Sequence, residues 1–148
     1  MRKKTSLSKK ILSSNSGTKT LRLMKALETI EIDWKMVYKN IYNSTIDIKL
    51  RNFQYKFVNR IIPTNKSLMK FNIRNSNICD FCNMQVESIK HLFWECNHVQ
   101  HLWNNIENWL RNINLGVDIT FKNISLGILD KRNQLSSQAI NYIIILAK

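Results

Sequence analysis

One proline and 3 glycines punctuate 148 residues. So few breakers argue against a turn-rich sandwich or barrel and leave helices as the natural elements. Acids are scarce as well: 10 Asp+Glu face 23 Lys+Arg, a net charge of +13 at pH 7. That excess asks for a polyanionic partner, nucleic acid first and an acidic membrane surface second. Long apolar runs are missing. The longest, Ala139 to Ala147, is broken by Asn141 and Tyr142, and spanning a bilayer takes roughly 18 apolar residues. Behind the basic N-terminal residues only Ile11 and Leu12 are apolar before Ser and Asn resume, too little for the apolar region of a secretion signal. The chain therefore reads as intracellular, in nucleus or cytoplasm, with no membrane partner. The 3 cysteines, Cys79, Cys82 and Cys96, fall in one short window. An odd, clustered count in a reducing compartment speaks for metal ligation rather than disulfides.

What is present is a hydrophobic fraction of 44%, ordinary for one globular domain. The charge is uneven. Residues 1–25 hold eight bases and no acid; residues 35–74 hold nine bases and only Asp47; residues 75–118 hold two bases and five acids. The positive field thus precedes the cysteine cluster. Residues 1–22, rich in Lys, Ser, Thr and Asn without periodicity, read as a disordered basic tail.

Helical periodicity starts near Trp34, with Val37, Tyr38 and Ile41 following at three- and four-residue steps and Asp33 as an N-cap candidate. A second helix carries Leu50, Phe53, Phe57 and Ile61 on one face and is expected to end at Pro63. Thr64 can cap a short third helix bearing Leu68 and Phe71, Ser88 another, and Asn97 a longer one. That last helix shows an apolar stripe of Val99, Leu102, Trp103, Ile106, Trp109, Leu110 and Ile113 before Gly116, its expected stop. Val117, Ile119 and Phe121 alternate like a short strand, and residues 135–148 read as helix. The expectation is a mainly α fold: a small helical domain built around a zinc knuckle, with room for one short β element.

The knuckle rests on spacing. Cys79 and Cys82 are separated by two residues, His91 follows, and Cys96 lies five beyond it. Two sulfurs from a tight turn and an imidazole and thiolate from the end of a helix can converge on one ion. Three thiolates and one imidazole make a closed tetrahedral zinc site, and soft sulfur ligands favour zinc over magnesium, calcium or manganese. His98 and His101 are rivals for the fourth position. A filled shell leaves no position for a reacting water, which disfavours catalysis at the metal. A nucleotide deaminase needs a His-x-Glu element ahead of Pro-Cys-x-x-Cys; here the histidine follows the first cysteine pair and Leu92-Phe93 follow it.

The segment 34–103 resembles the zinc-binding region at the C-terminal end of reverse transcriptases from LINE-type (non-LTR) retrotransposons. The matching residues are Leu50-Arg51-Asn52-Phe53-Gln54-Tyr55-Lys56-Phe57, then Arg60-Ile61-Ile62-Pro63-Thr64-Asn65 with Leu68, then Cys79-Asp80-Phe81-Cys82. They continue with Glu87-Ser88-Ile89-Lys90-His91-Leu92-Phe93-Trp94-Glu95-Cys96 and Trp103. The resemblance implies a zinc-binding domain over 34–113 with a C-terminal extension, 114–148, ending in a helix that looks cut short. It implies an accessory module that handles RNA and DNA, with possible docking to a polymerase domain and no small-molecule substrate. The polymerase fold and its paired aspartates are not in these residues, so the expectation is a non-enzymatic, truncated piece.

Aromatic residues interleave with the bases of 35–74. Trp34, Phe53 and Phe57 lie on apolar stripes and are assigned to the core, as are Trp103 and Trp109. Tyr42 and Tyr55 lie off the stripes and are the candidates for stacking on bases. Arg51, Lys56, Arg60, Lys66 and Lys70 are the candidate phosphate contacts, against the plainer reading of a solvated helix face. The competing functional classes are a zinc-shaped docking module for another protein and a non-functional remnant of a mobile element.

Overall fold

A computed structural model describes residues 32–128 and 134–148; the basic tail expected over 1–22 lies outside the described residues. Lys35–Lys148 form one compact unit. Its order is α1 (Trp34–Ser44), α2 (Ile48–Val58), α3 (Asn65–Lys70), a π-helical turn (His91–Glu95), α4 (Asn97–Asn112), α5 (Phe121–Leu126) and α6 (Gln134–Leu146). Strand pairing among the described residues is limited to one antiparallel bridge, Ile78 with Val86, inside the knuckle. The fold is mainly α and contains the cysteine–histidine cluster, as expected. Among the described residues no helix is long and apolar enough to cross a membrane.

Local chemistry explains three of the starts; α4 begins after Cys96 with no side-chain cap, so Asn97 is its first residue rather than its cap. Asp47 caps α2, its carboxylate accepting from the N–H groups of Lys49 and Leu50. Thr64 caps α3 in a capping box with Ser67. Thr120 caps α5 by accepting from Asn123 N–H. That cap overturns the strand expected at 117–121. Phe121 opens a helix whose buried residues include Phe121, Ile124 and Leu126, so a capping threonine and a three-residue apolar step outweigh three alternating residues.

The helix ends also differ from expectation. Pro63 does not end α2, which stops at Val58. Arg60 turns left-handed there at φ 55°; its N–H bonds Phe57 C=O at 3.0 Å, and Ile61 N–H bonds Lys56 C=O at 2.9 Å. This is the double bond of a Schellman motif. The pattern recurs after α3 at Asn72 (φ 56°) and after α4 at Asn114 (φ 58°), where Ile73 N–H reaches Leu68 C=O and Leu115 N–H reaches Leu110 C=O, each at 2.9 Å. Gly116 is therefore not the stop for α4. In a chain this poor in glycine, asparagine and arginine take the left-handed positions.

The core gathers Val37 and Ile41 of α1, Phe57 and Val58 of α2, Ile124 and Leu126 of α5, and Ile140, Ile144 and Ile145 of α6. Polar side chains cross it in pairs. Buried Gln54 donates to Ser125 C=O at 3.2 Å and accepts from Lys148 Nζ at 2.5 Å. Burial holds the Lys148 ammonium well below its ordinary pKa, and it lies 4.3 Å from the centre of the Phe57 ring. Asn141 donates to Asn40 Oδ1 and binds both backbone groups of Ile128. Gly127, at φ 80°, packs where a Cβ would collide with the Asn40 amide.

Phe93 joins this core to the metal turn. Its ring meets Phe57 edge-on at 4.9 Å and Phe53 at 6.1 Å. Its carbonyl accepts from the indole N–H of Trp103 at 2.8 Å. Trp103 is core, as expected; Trp109 is not, with 49% of its surface exposed on the opposite side of α4's broad apolar stripe.

Candidate metal centre and basic aromatic face

The metal turn is built from backbone bonds. Cys79 N–H donates to Gln85 C=O at 2.8 Å and Asn83 N–H to Cys79 C=O at 2.9 Å. Asn83 takes φ 55° to close the loop. The N–H groups of Met84 and Gln85 point at Cys82 sulfur, and those of Cys82 and Phe81 at Cys79 sulfur. Such donors stabilise thiolate over thiol. Led by the bond from Met84 N–H, they bring the Cys82 thiol down to about 6. Cys79 is pushed the other way by burial.

The second pair comes from the π turn. Ser88 Oγ accepts from His91 N–H at 3.0 Å, and Cys96 N–H closes the wide turn on His91 C=O at 2.9 Å. His91 Nε2 lies 3.3 Å from Cys82 Sγ. One ligand atom from each of Cys79, Cys82, His91 and Cys96 lies within 4.8 Å of every other. A tetrahedral zinc with bonds of about 2.1–2.3 Å needs donor separations of roughly 3.4–3.8 Å, which this cluster can meet. Cys79, His91 and Cys96 are buried and Cys82 half-buried, so the pocket is closed rather than open to a substrate. His98 and His101 are exposed on α4, outside the cluster.

The family model described as zinc-binding in reverse transcriptase matches residues 19–103, more than half of the chain. The chain belongs to that family. No curated protein and no solved structure matches it. This reverse-transcriptase zinc-binding domain is an accessory rather than a catalytic one, zinc is its metal, and the Cys79, Cys82, His91 and Cys96 cluster is suited to hold it.

The domain contains a polar latch that sequence reasoning missed. Asn65, buried at the first turn of α3, donates from Nδ2 to Ile78 C=O at 2.7 Å, beside Cys79. Its own N–H donates to the buried Glu87 carboxylate at 2.8 Å, and Lys66 N–H reaches Glu87 C=O. Arg74 bridges Asn65 Oδ1 and Asp80 Oδ2, the latter at 2.7 Å; that pair holds the exposed Asp80 carboxyl below its usual range. The Thr64-Asn65 pair thus starts a helix and fastens it to the knuckle. The available sequence cue was the joint presence of Asn65 and Glu87 in the matching residues, without any periodicity to link them.

The seven nucleic-acid candidates are placed unequally. Arg51 donates to Thr45 C=O at 2.6 Å and Tyr42 C=O at 2.9 Å, with its guanidinium carbon 5.2 Å from the centre of the Tyr42 ring. Tyr55 stands four residues along α2 from Arg51 and its ring lies 6.0 Å from that of Tyr38. Tyr42 is 65% and Tyr55 50% exposed. Lys56, Lys66 and Lys70 are exposed. Arg60 is half-buried in its left-handed position, desolvation lowers its pKa, and its Nε is buried without a hydrogen-bond partner among the described residues. Tyr42, Arg51 and Tyr55 are thus brought onto neighbouring turns of α1 and α2, whereas Arg60 serves the end of α2.

Proposed function

We propose that this domain is a non-catalytic accessory module of a LINE-type reverse transcriptase that binds single-stranded RNA or DNA without reading sequence. Its zinc, held by Cys79, Cys82, His91 and Cys96, shapes the fold and takes no part in chemistry. The observation that carries the binding is the row Tyr42, Arg51, Tyr55: two exposed rings with a guanidinium 5.2 Å from the centre of one of them. Exposed rings offer π-faces to bases and cations pair with phosphates, which suits an unpaired strand. Lys56, Lys66 and Lys70 supply phosphate contacts, which position a strand without specifying it. The LINE assignment rests on the residue runs from Leu50 to Trp103.

A salt titration of oligonucleotide binding tests this. Three lysines on phosphates of a single strand give a log–log slope contribution of about −2. The triple variant Lys56→Gln, Lys66→Gln, Lys70→Gln should flatten the slope of the full chain by that amount with zinc content unchanged. An unchanged slope refutes the assignment of these lysines. A second reading, docking onto a polymerase domain, is favoured by the uncovered side of α4, where Leu102, Trp109 and Ile113 are exposed. That reading expects salt-insensitive association with protein and no nucleic-acid binding.

A further inference from the structure

The metal loop carries apolar side chains that the core does not use. Phe81, between the first two cysteines, is 62% exposed, and Phe71, at the end of α3, is 69% exposed. Ile73 and Met84 are exposed beside them in sequence. The cause is local: a knuckle turns its two sulfurs inward and so directs the two residues between them, Asp80 and Phe81, outward, while the left-handed Asn72 ends α3 beside Phe71. The Arg74–Asp80 ion pair, together with the Asn65–Ile78 bond, ties the turn bearing Phe71 to the loop bearing Phe81. Lys66 and Lys70 are exposed on α3, the helix that Phe71 ends, and Arg74 follows in the next turn, paired with the exposed acid Asp80. Glu87 is buried. Two rings in a cationic frame complement a ligand that is both anionic and flat-faced.

We propose that Phe71 and Phe81 form a second base-stacking site, which takes unpaired nucleobases of a single strand whose phosphates lie on Lys66 and Lys70. The site is separate from the Tyr42–Arg51–Tyr55 row and rests on the nucleic-acid reading above. It selects single strand over duplex, because paired bases have their faces covered by one another. It reads no sequence, because every base has a π-face. Stacking is also insensitive to salt, whereas phosphate pairing is not.

The test uses the full zinc-loaded chain, a fluorescein-labelled single-stranded oligonucleotide of mixed sequence, and the same strand annealed to its complement. Phe81→Ala, Phe81→Leu and Phe71→Ala are compared with the parent at several salt concentrations. Each variant should weaken single-strand binding by at least about five-fold, the lower end of what one lost base–aromatic stack costs. The salt slope should stay the same, and duplex binding should not change. Phe81→Leu keeps apolar bulk but lacks the ring, so its loss separates stacking from simple apolar contact. Both side chains are exposed, and zinc content with circular dichroism confirms that each variant is folded. Equal single-strand affinity in the parent and the variants overturns this site and leaves the Tyr42–Arg51–Tyr55 reading standing. A parent that binds neither strand overturns both.

Discussion

Replacing Asn65 with alanine removes a small side chain yet should be felt at the metal. The amide donates to Ile78 C=O and accepts from Arg74, and the residue is 3% exposed. A net hydrogen bond is worth about 1 kcal/mol, and each partner left partly buried and unpaired adds about 1–3 kcal/mol. Alanine favours a helix a little more than asparagine does, by a few tenths of a kcal/mol. The expected loss is therefore about 2–3 kcal/mol, a fall in melting temperature of roughly 8–12 °C at about 4 °C per kcal/mol for a domain of this size. Because Ile78 precedes a ligand, part of that loss should appear as weaker zinc binding, since metal-binding energy here is also folding energy. The assay is thermal unfolding of the zinc-loaded chain, paired with a competition titration against a chromogenic chelator. A melting temperature within about 2 °C of the parent, with unchanged zinc affinity, would show that the latch does not couple α3 to the knuckle.

Two further outcomes follow from the ligand turn and the end of α2. Folding lowers the Cys82 thiol from its ordinary 9.0 to about 6. A depressed pKa means stability that is complete above the unfolded value, declines from about pH 9 downward and is gone below about pH 6. Zinc binds the thiolate, so its affinity should fall as pH drops, and more steeply below about 6, read by competition with a zinc dye; an affinity unchanged between pH 7 and 4.5 contradicts the thiolate argument. Arg60→Gly should raise the free energy of unfolding by about 1 kcal/mol, read by denaturant titration, since it removes left-handed strain and a half-buried guanidinium. A destabilised variant would mean that Arg60 makes stabilising contacts that outweigh the strain.

The metal site was legible because its information is local: four ligand residues at workable spacings need no knowledge of the rest of the chain. Helix existence was legible for the same reason, and Trp103 fell where the stripe placed it. Trp109 did not, because the stripe on α4 is wider than the surface its neighbours cover, and periodicity reports apolarity rather than contact. α2 and α4 end at Val58 and Asn112, ahead of Pro63 and Gly116, the stops that the sequence suggests. The actual ends are left-handed Arg60 and Asn114, and only backbone geometry reveals a non-glycine residue in that role. The bond from Asn65 N–H to the Glu87 carboxylate spans 22 positions. No propensity or period encodes such a pair. The strand at 117–121 failed on three alternating residues, too few to outweigh one capping threonine.

The wide turn from His91 to Cys96 ties arithmetic along the chain to angle around the axis. On an ordinary α-helix, side chains five positions apart diverge by about 140°. Closing the turn from residue 96 back to residue 91 brings those two ligands to one side. The segment is thus wound one residue looser than its neighbours, a pitch that suits two ligands of one ion. Dropping a residue between the two ligands would let a normal turn align them, four apart and about 40° off. Adding one would rotate the sulfur to the far side. This stretch should therefore tolerate shortening better than lengthening, an asymmetry that a surface loop of the same size would not show.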